Sequence, residues 1–167
     1  ELYKKAESTT KEISDLCSLA ESVCTKFNDS EWATSLYYKA EKMAKDSPDF
    51  CSLADSLCEN LGDKKWATKI YNKAENKAEH SYEFRWLADS ICKKLGEIEW
   101  AKKVYKKAEG KATFFYEFRR LAEHLCKNMG DKEWAKKVYN KAKSKARYPS
   151  DFDCLNKSIF KSFGEYQ

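Results

Sequence analysis

The chain has 167 residues, 35% of them charged and 42% hydrophobic, with a net charge of +5. That length suits one ordinary domain or a short stack of helical pairs, and five Gly and two Pro are too few for a loop-rich or all-β protein, so the composition points to helix. No run of about 18 apolar residues reads as a membrane-spanning helix, and no basic-then-apolar start reads as a signal peptide.

Residues 1–10 contain Tyr3 and Ala6, which lie 34 residues before Tyr37 and Ala40. The chain therefore opens inside the second helix of a half repeat, as a piece of something longer would. A first repeat, 11–45, is expected to hold a helix from about Lys11 to Phe27, with Leu16, Leu19, Ala20 and Val23 as its apolar stripe. Asn28 breaks it, and Asp29 or Ser30 caps a second helix from Glu31 to Lys45. The second repeat, 46–79, opens on Asp46-Ser47-Pro48, with Ser47 as the expected cap and Pro48 in the first turn. Gly62 ends its first helix in the left-handed region, and Asp63 starts the next. Repeats 80–113 and 114–147 follow the same plan, with Gly96 and Gly130 at the turns. A terminal helix, 150–163, carries Phe152, Leu155, Ile159 and Phe163; it is a closing cap or half of a further repeat.

The period is fixed by Trp32, Trp66, Trp100 and Trp134, each followed by Ala and then by Tyr37, Tyr71, Tyr105 and Tyr139. Such regular self-similarity predicts stacked repeats. Each Trp is expected to wedge against the first helix of its own repeat.

The residues Phe50-x2-Leu53-Ala54-x2-Leu57, the turn Leu61-Gly62-Asp63 and Ala67-x3-Tyr71-x2-Ala74 resemble the tetratricopeptide repeat, and the likeness covers essentially the whole chain. It departs from that family in having Ala20, Ala54, Ala88 and Ala122 where the family has Gly, in lacking most closing prolines, and in one extra residue between Ala54 and Ala67. The resemblance implies an all-α, right-handed superhelical solenoid of 34-residue helix-turn-helix repeats. It also implies a concave groove lined by first helices that holds a peptide or partner domain.

Candidate groove residues flank the apolar stripe. Glu21, Asp55, Asp89 and Glu123 share one place in the period, Arg85 and Arg119 stand one turn before it, and Lys93 and Lys127 one turn after. Trp86 and Arg120 lie beside them. Read singly, Arg85–Asp89, Arg119–Glu123, Asp89–Lys93 and Glu123–Lys127 are surface pairs worth about 0.3–0.5 kcal/mol each. Residues 1–79 hold 12 Lys against 15 acids, whereas 80–167 hold 20 basic residues against 12 acidic ones. The later groove is thus the basic one.

No catalytic constellation is present, and no cofactor or metal site is expected. Neither His80 nor His124 pairs with an acid in the pattern, and neither recurs with the cysteines. Cys24, Cys58, Cys92 and Cys126, with Cys17 and Cys51, recur as small packing residues. Reduced cysteines suit a cytoplasmic location. The expected function is a protein-interaction scaffold, the alternative an assembly element that stacks end to end on copies of itself. Nucleic-acid binding by the lysine-rich second helices is disfavoured, because their recurring Tyr105 and Tyr139 occupy inward positions.

Overall fold

The structure, a computed structural model, describes residues 2–10 and 12–164. Every regular element among them is helical, so the protein is all-α. It divides into two compact units, Glu1–Ala78 and Glu79–Gln167.

The first unit contains α1 (Leu2–Thr9), α2 (Ile13–Phe27), α3 (Ser30–Met43), α4 (Ser47–Ser56) and α5 (Lys64–Lys77). The second contains α6 (Ser81–Ser90), α7 (Ile98–Lys111), α8 (Phe115–His124), α9 (Lys132–Lys145) and α10 (Pro149–Phe163). Four helical hairpins result, α2 with α3, α4 with α5, α6 with α7 and α8 with α9. Within its unit α2 also packs on α4, α6 on α8, and α8 on α10. The expected start of α2 at Lys11 lies outside the described residues.

The pattern that forms the hairpins is the one the sequence repeats. Ala33, Leu36, Tyr37 and Ala40 of α3 are fully buried, as are Ala67, Ile70, Tyr71 and Ala74 of α5. Ala20 and Ala54 of the facing first helices are fully buried too, as are Ala88 and Ala122 in the second unit. Small side chains at these crossings let the backbones approach closely, and each buried Leu or Ile adds roughly 1.5–3 kcal/mol. In the last helix Leu155 and Ile159 are buried while Phe152 is exposed.

The extra residue between the small alanine and the second helix has a structural counterpart. In three of the first helices the α-helix runs straight into a π-helical turn, Leu57–Leu61, Ile91–Leu95 and Leu125–Met129. One residue more per turn accommodates an insertion without moving the flanking faces. The Gly96 amide donates to the Ile91 carbonyl at 3.1 Å, five residues back. Gly62, Gly96 and Gly130 then turn the chain at φ 66°, 77° and 65°, where an L side chain is strained. Asn28 does the same after α2 at φ 52°, although α2 itself stays α-helical to its end.

Two expectations are corrected. Ser47 does not cap α4: Asp46 does, its side chain accepting from the Asp49 amide, and Ser47 is the buried first residue of the helix. The loops are also fastened from within the helices, at positions 34 residues apart. Asp49 accepts from the Lys45 amide, Glu83 from those of Glu79 and His80, Glu117 from those of Thr113 and Phe114, and Asp151 from those of Arg147 and Tyr148. These carboxylates satisfy donors that a helix start leaves open.

The tryptophans, too, act differently from expectation. Trp32, Trp66 and Trp134 also reach the preceding second helix. Trp32 Nε1 donates to Glu7, Trp66 Nε1 to Glu41 and Trp134 Nε1 to Glu109, at 2.8–2.9 Å. The other carboxylate oxygen of each glutamate takes a lysine of the indole's own helix, Lys39, Lys73 or Lys141. Of the first-helix side chains, Phe27 meets Trp32, at 6.2 Å between ring centres.

Candidate functional site

The richest polar cluster lies in the second unit, on α6, α7, α8 and the turn after it. Asp89 is 7% exposed. Its Oδ1 accepts from the Tyr105 hydroxyl and from Asn128 Nδ2, the latter at 2.8 Å, and its Oδ2 meets His124 Nδ1. On the far side of that ring Arg85 Nη1 lies 3.0 Å from Nε2. A guanidinium has only donors, so Nε2 accepts and Nδ1–H donates to Asp89. The geometry therefore fixes a neutral imidazole of one tautomer between a cation and an anion.

Burial pushes the Asp89 carboxyl up, but His124 and the Tyr105 hydroxyl outweigh it, so it ionises below the usual carboxylate range. Burial also pushes the Arg85 guanidinium down, and the nearby Arg120 adds to that, against the opposing pull of Asp89. The Tyr105 hydroxyl is held well above its ordinary value by burial and by Asp89.

This corrects the sequence reading on three points. His124 does pair with an acid. Arg85 turns to His124 rather than forming a surface pair with Asp89, and Asp89 is a buried acceptor rather than a groove residue. Of the expected i,i+4 pairs, Arg119–Glu123 forms at 2.5 Å, with Glu123 also accepting from Ser158 Oγ of α10 at 2.5 Å. In the first unit Asp55 accepts from the Tyr71 hydroxyl at 2.5 Å and is likewise turned inward, while Glu21 is exposed.

The cations go the other way. Lys93, Arg120 and Lys127 are exposed, and Trp86 is 43% exposed. Lys161 of α10, again 34 residues after Lys127, is exposed as well. Glu123, His124, Cys126, Lys127, Lys161 and Ser162 line a cleft of about 400 Å³ between α8 and α10. Lys161, Ser158 and Asn128 are site residues that the sequence reading did not single out. For Lys161 the signal was there in the period; so it was for Asn128, two periods after Asn60, which likewise donates to a tyrosine, and for Ser158, which meets Glu123 one period after His124 meets Asp89.

No disulfide links any of the described cysteines, and Cys17 and Cys51 are buried. Burial pushes the Cys17 thiol up to about 11, against a hydrogen bond with Ser56, which leaves it a packing residue rather than a nucleophile. Among the described residues no helix is long and apolar enough to cross a membrane.

No protein-family model matches the chain, and neither a curated protein nor a solved structure was found to be similar to it.

Proposed function

We propose that the chain is a protein-interaction scaffold of tetratricopeptide-like repeats, a right-handed solenoid whose groove in the second unit holds an acidic peptide. The observation that supports this most is the sorting of charge on α6, α8 and α10. Asp89 and Glu123 are consumed by internal partners, whereas Lys93, Lys127 and Lys161 stand exposed 34 residues apart. Ammonium groups at one place in the period, with the neighbouring carboxylates engaged by other side chains, favour an extended anionic chain. The 34-residue period of the sequence supports the repeat reading.

The test is binding of a fluorescent glutamate-rich peptide by anisotropy. Lys93→Ala, Lys127→Ala and Lys161→Ala together are expected to weaken it about tenfold or more, and added salt to weaken the wild type likewise. Equal affinity for a lysine-rich peptide of the same length would overturn the reading.

A further inference from the structure

A second anion-recognising feature sits elsewhere on the same unit, at the start of α6 and α8. Ser81, Tyr82, Arg85, Tyr116, Glu117 and Arg120 line a cleft of about 280 Å³. That is slightly smaller than the ~300–1,000 Å³ typical of small-molecule pockets, a size for one side chain rather than a cofactor. Two guanidiniums converge on it. Arg85 is half-buried and spends Nη1 on His124, which leaves further donors of its fork. Arg120 is exposed, and it is close enough to Arg85 to destabilise the charge there. Among these residues Glu117 is the carboxylate, and its Oε2 accepts from the amides of Thr113 and Phe114 at 2.8 and 3.0 Å.

The walls are aromatic, and their rings are held in place. Tyr82 stacks on His80 with centres 5.7 Å apart and 10° between planes, and Tyr116 stacks on Phe114 at 5.6 Å and 4°. Both tyrosines are about half exposed, at 49% and 47%. Asp89 and Glu123 offset part of the Arg85 charge, but Arg120 still acts against it, and a doubly charged oxyanion held between the two forks relieves that repulsion. Guanidinium forks suit phosphate oxygens, and ring walls suit an aryl group behind them.

We infer that this cleft binds an aryl phosphate, the phosphotyrosine side chain of a partner protein. The phosphate takes its hydrogen bonds from Arg85 and Arg120, and the ring lies between Tyr82 and Tyr116. The site stands whether or not a peptide occupies the lysine-lined groove.

The experiment is calorimetry on the full chain with phenyl phosphate, and with one short neutral peptide carrying tyrosine, phosphotyrosine or phosphoserine. Saturable binding of phenyl phosphate is expected, together with a preference of about tenfold or more for phosphotyrosine over each of the other two peptides. Arg120→Ala is expected to remove about tenfold or more of that affinity, and Arg120→Lys to restore only part of it, because the ammonium is no fork. Arg120 is exposed, so the variant keeps its fold, which its thermal melt checks. Lys127→Ala is expected to leave the binding within about twofold, which separates this site from the groove. No saturation with millimolar phenyl phosphate overturns the inference. So does equal binding of the phosphoserine peptide, or an unchanged affinity in Arg120→Ala.

Discussion

The two units hold the same pair of residues in different company. In the first, the Tyr71 hydroxyl donates to Asp55, and that aspartate is partly open to water. In the second, Tyr105 donates to Asp89, which is buried and also bound by His124 and Asn128, with Arg85 behind the histidine. The period places the pair. The side chains that reach the pair from neighbouring helices, a histidine and an asparagine at Asp89, decide its electrostatics. A repeat can thus vary its chemistry without disturbing its core, because the variable groups reach the pair from neighbouring helices.

That contrast can be broken most directly at the aspartates. Asp89→Ala is expected to cost about 3–5 kcal/mol, since it strands Tyr105, Asn128, His124 and Arg85 together. Asp55→Ala, which removes the acceptor of the Tyr71 hydroxyl, is expected to cost at least about 1.5–3 kcal/mol. Urea denaturation of both variants measures them, and a loss at Asp89 no larger than that of one such hydrogen bond would mean that His124 and Asn128 add nothing. Next come the shared crossings: Ala67→Leu in one unit and Ala101→Leu in the other should each cost about 1–3 kcal/mol by overpacking. A difference between them on thermal melting would show that the two cores are not equivalent.

The pH dependence sharpens the contrast further. Asp89 has a folded carboxyl pKa below the ordinary value. Its contribution is fully present above the unfolded pKa of roughly 4, and is lost as pH falls through the lower folded value. Asp89→Asn should therefore flatten the acid limb of stability against pH. At the other end burial pushes the Tyr37 hydroxyl up to about 12, against its hydrogen bond from Asn60, and holds Tyr71 and Tyr105 higher still. Their contribution is present below about pH 10 and lost as pH rises beyond it, in both units alike. The smallest expected effect is at the surface. Lys141→Met, which removes an exposed lysine from Glu109, should cost about 0.2–1 kcal/mol.

The repeating part of the structure was legible because it is written in local spacing. Alanine, tyrosine and leucine at helical intervals mark the buried stripes, and the isolated glycines mark left-handed turns. Even the inserted residue between Ala54 and Ala67 was visible as a count, although nothing in the count announced that a π turn would take it up. Ser47 misled because serine is as good a cap as aspartate, and Asp46 stands one residue earlier. The reach of Trp66 to Glu41 spans 25 residues backward, which a reading confined to one hairpin does not consider. His124 was the hardest to foresee. It meets Asp89 at one period plus one residue, a contact that Ser158 repeats on Glu123, but the change of side chain from histidine to serine at that place hides the likeness.

The fastening of tryptophan to glutamate bears on how such an array lengthens. Glu7, Glu41 and Glu109 each lie 25 residues ahead of the indole they hold. Any internal stretch of one period therefore carries one glutamate and one tryptophan. Copying that stretch in place supplies both halves of every new seam, with no further substitution required. The place 34 residues after Glu109 is occupied by Lys143, which is exposed. A repeat added there would bring an indole N–H to an ammonium, two donors with no acceptor between them. Duplication in the interior is thus tolerated by this chemistry, while extension past α9 first requires that one lysine to become an acid.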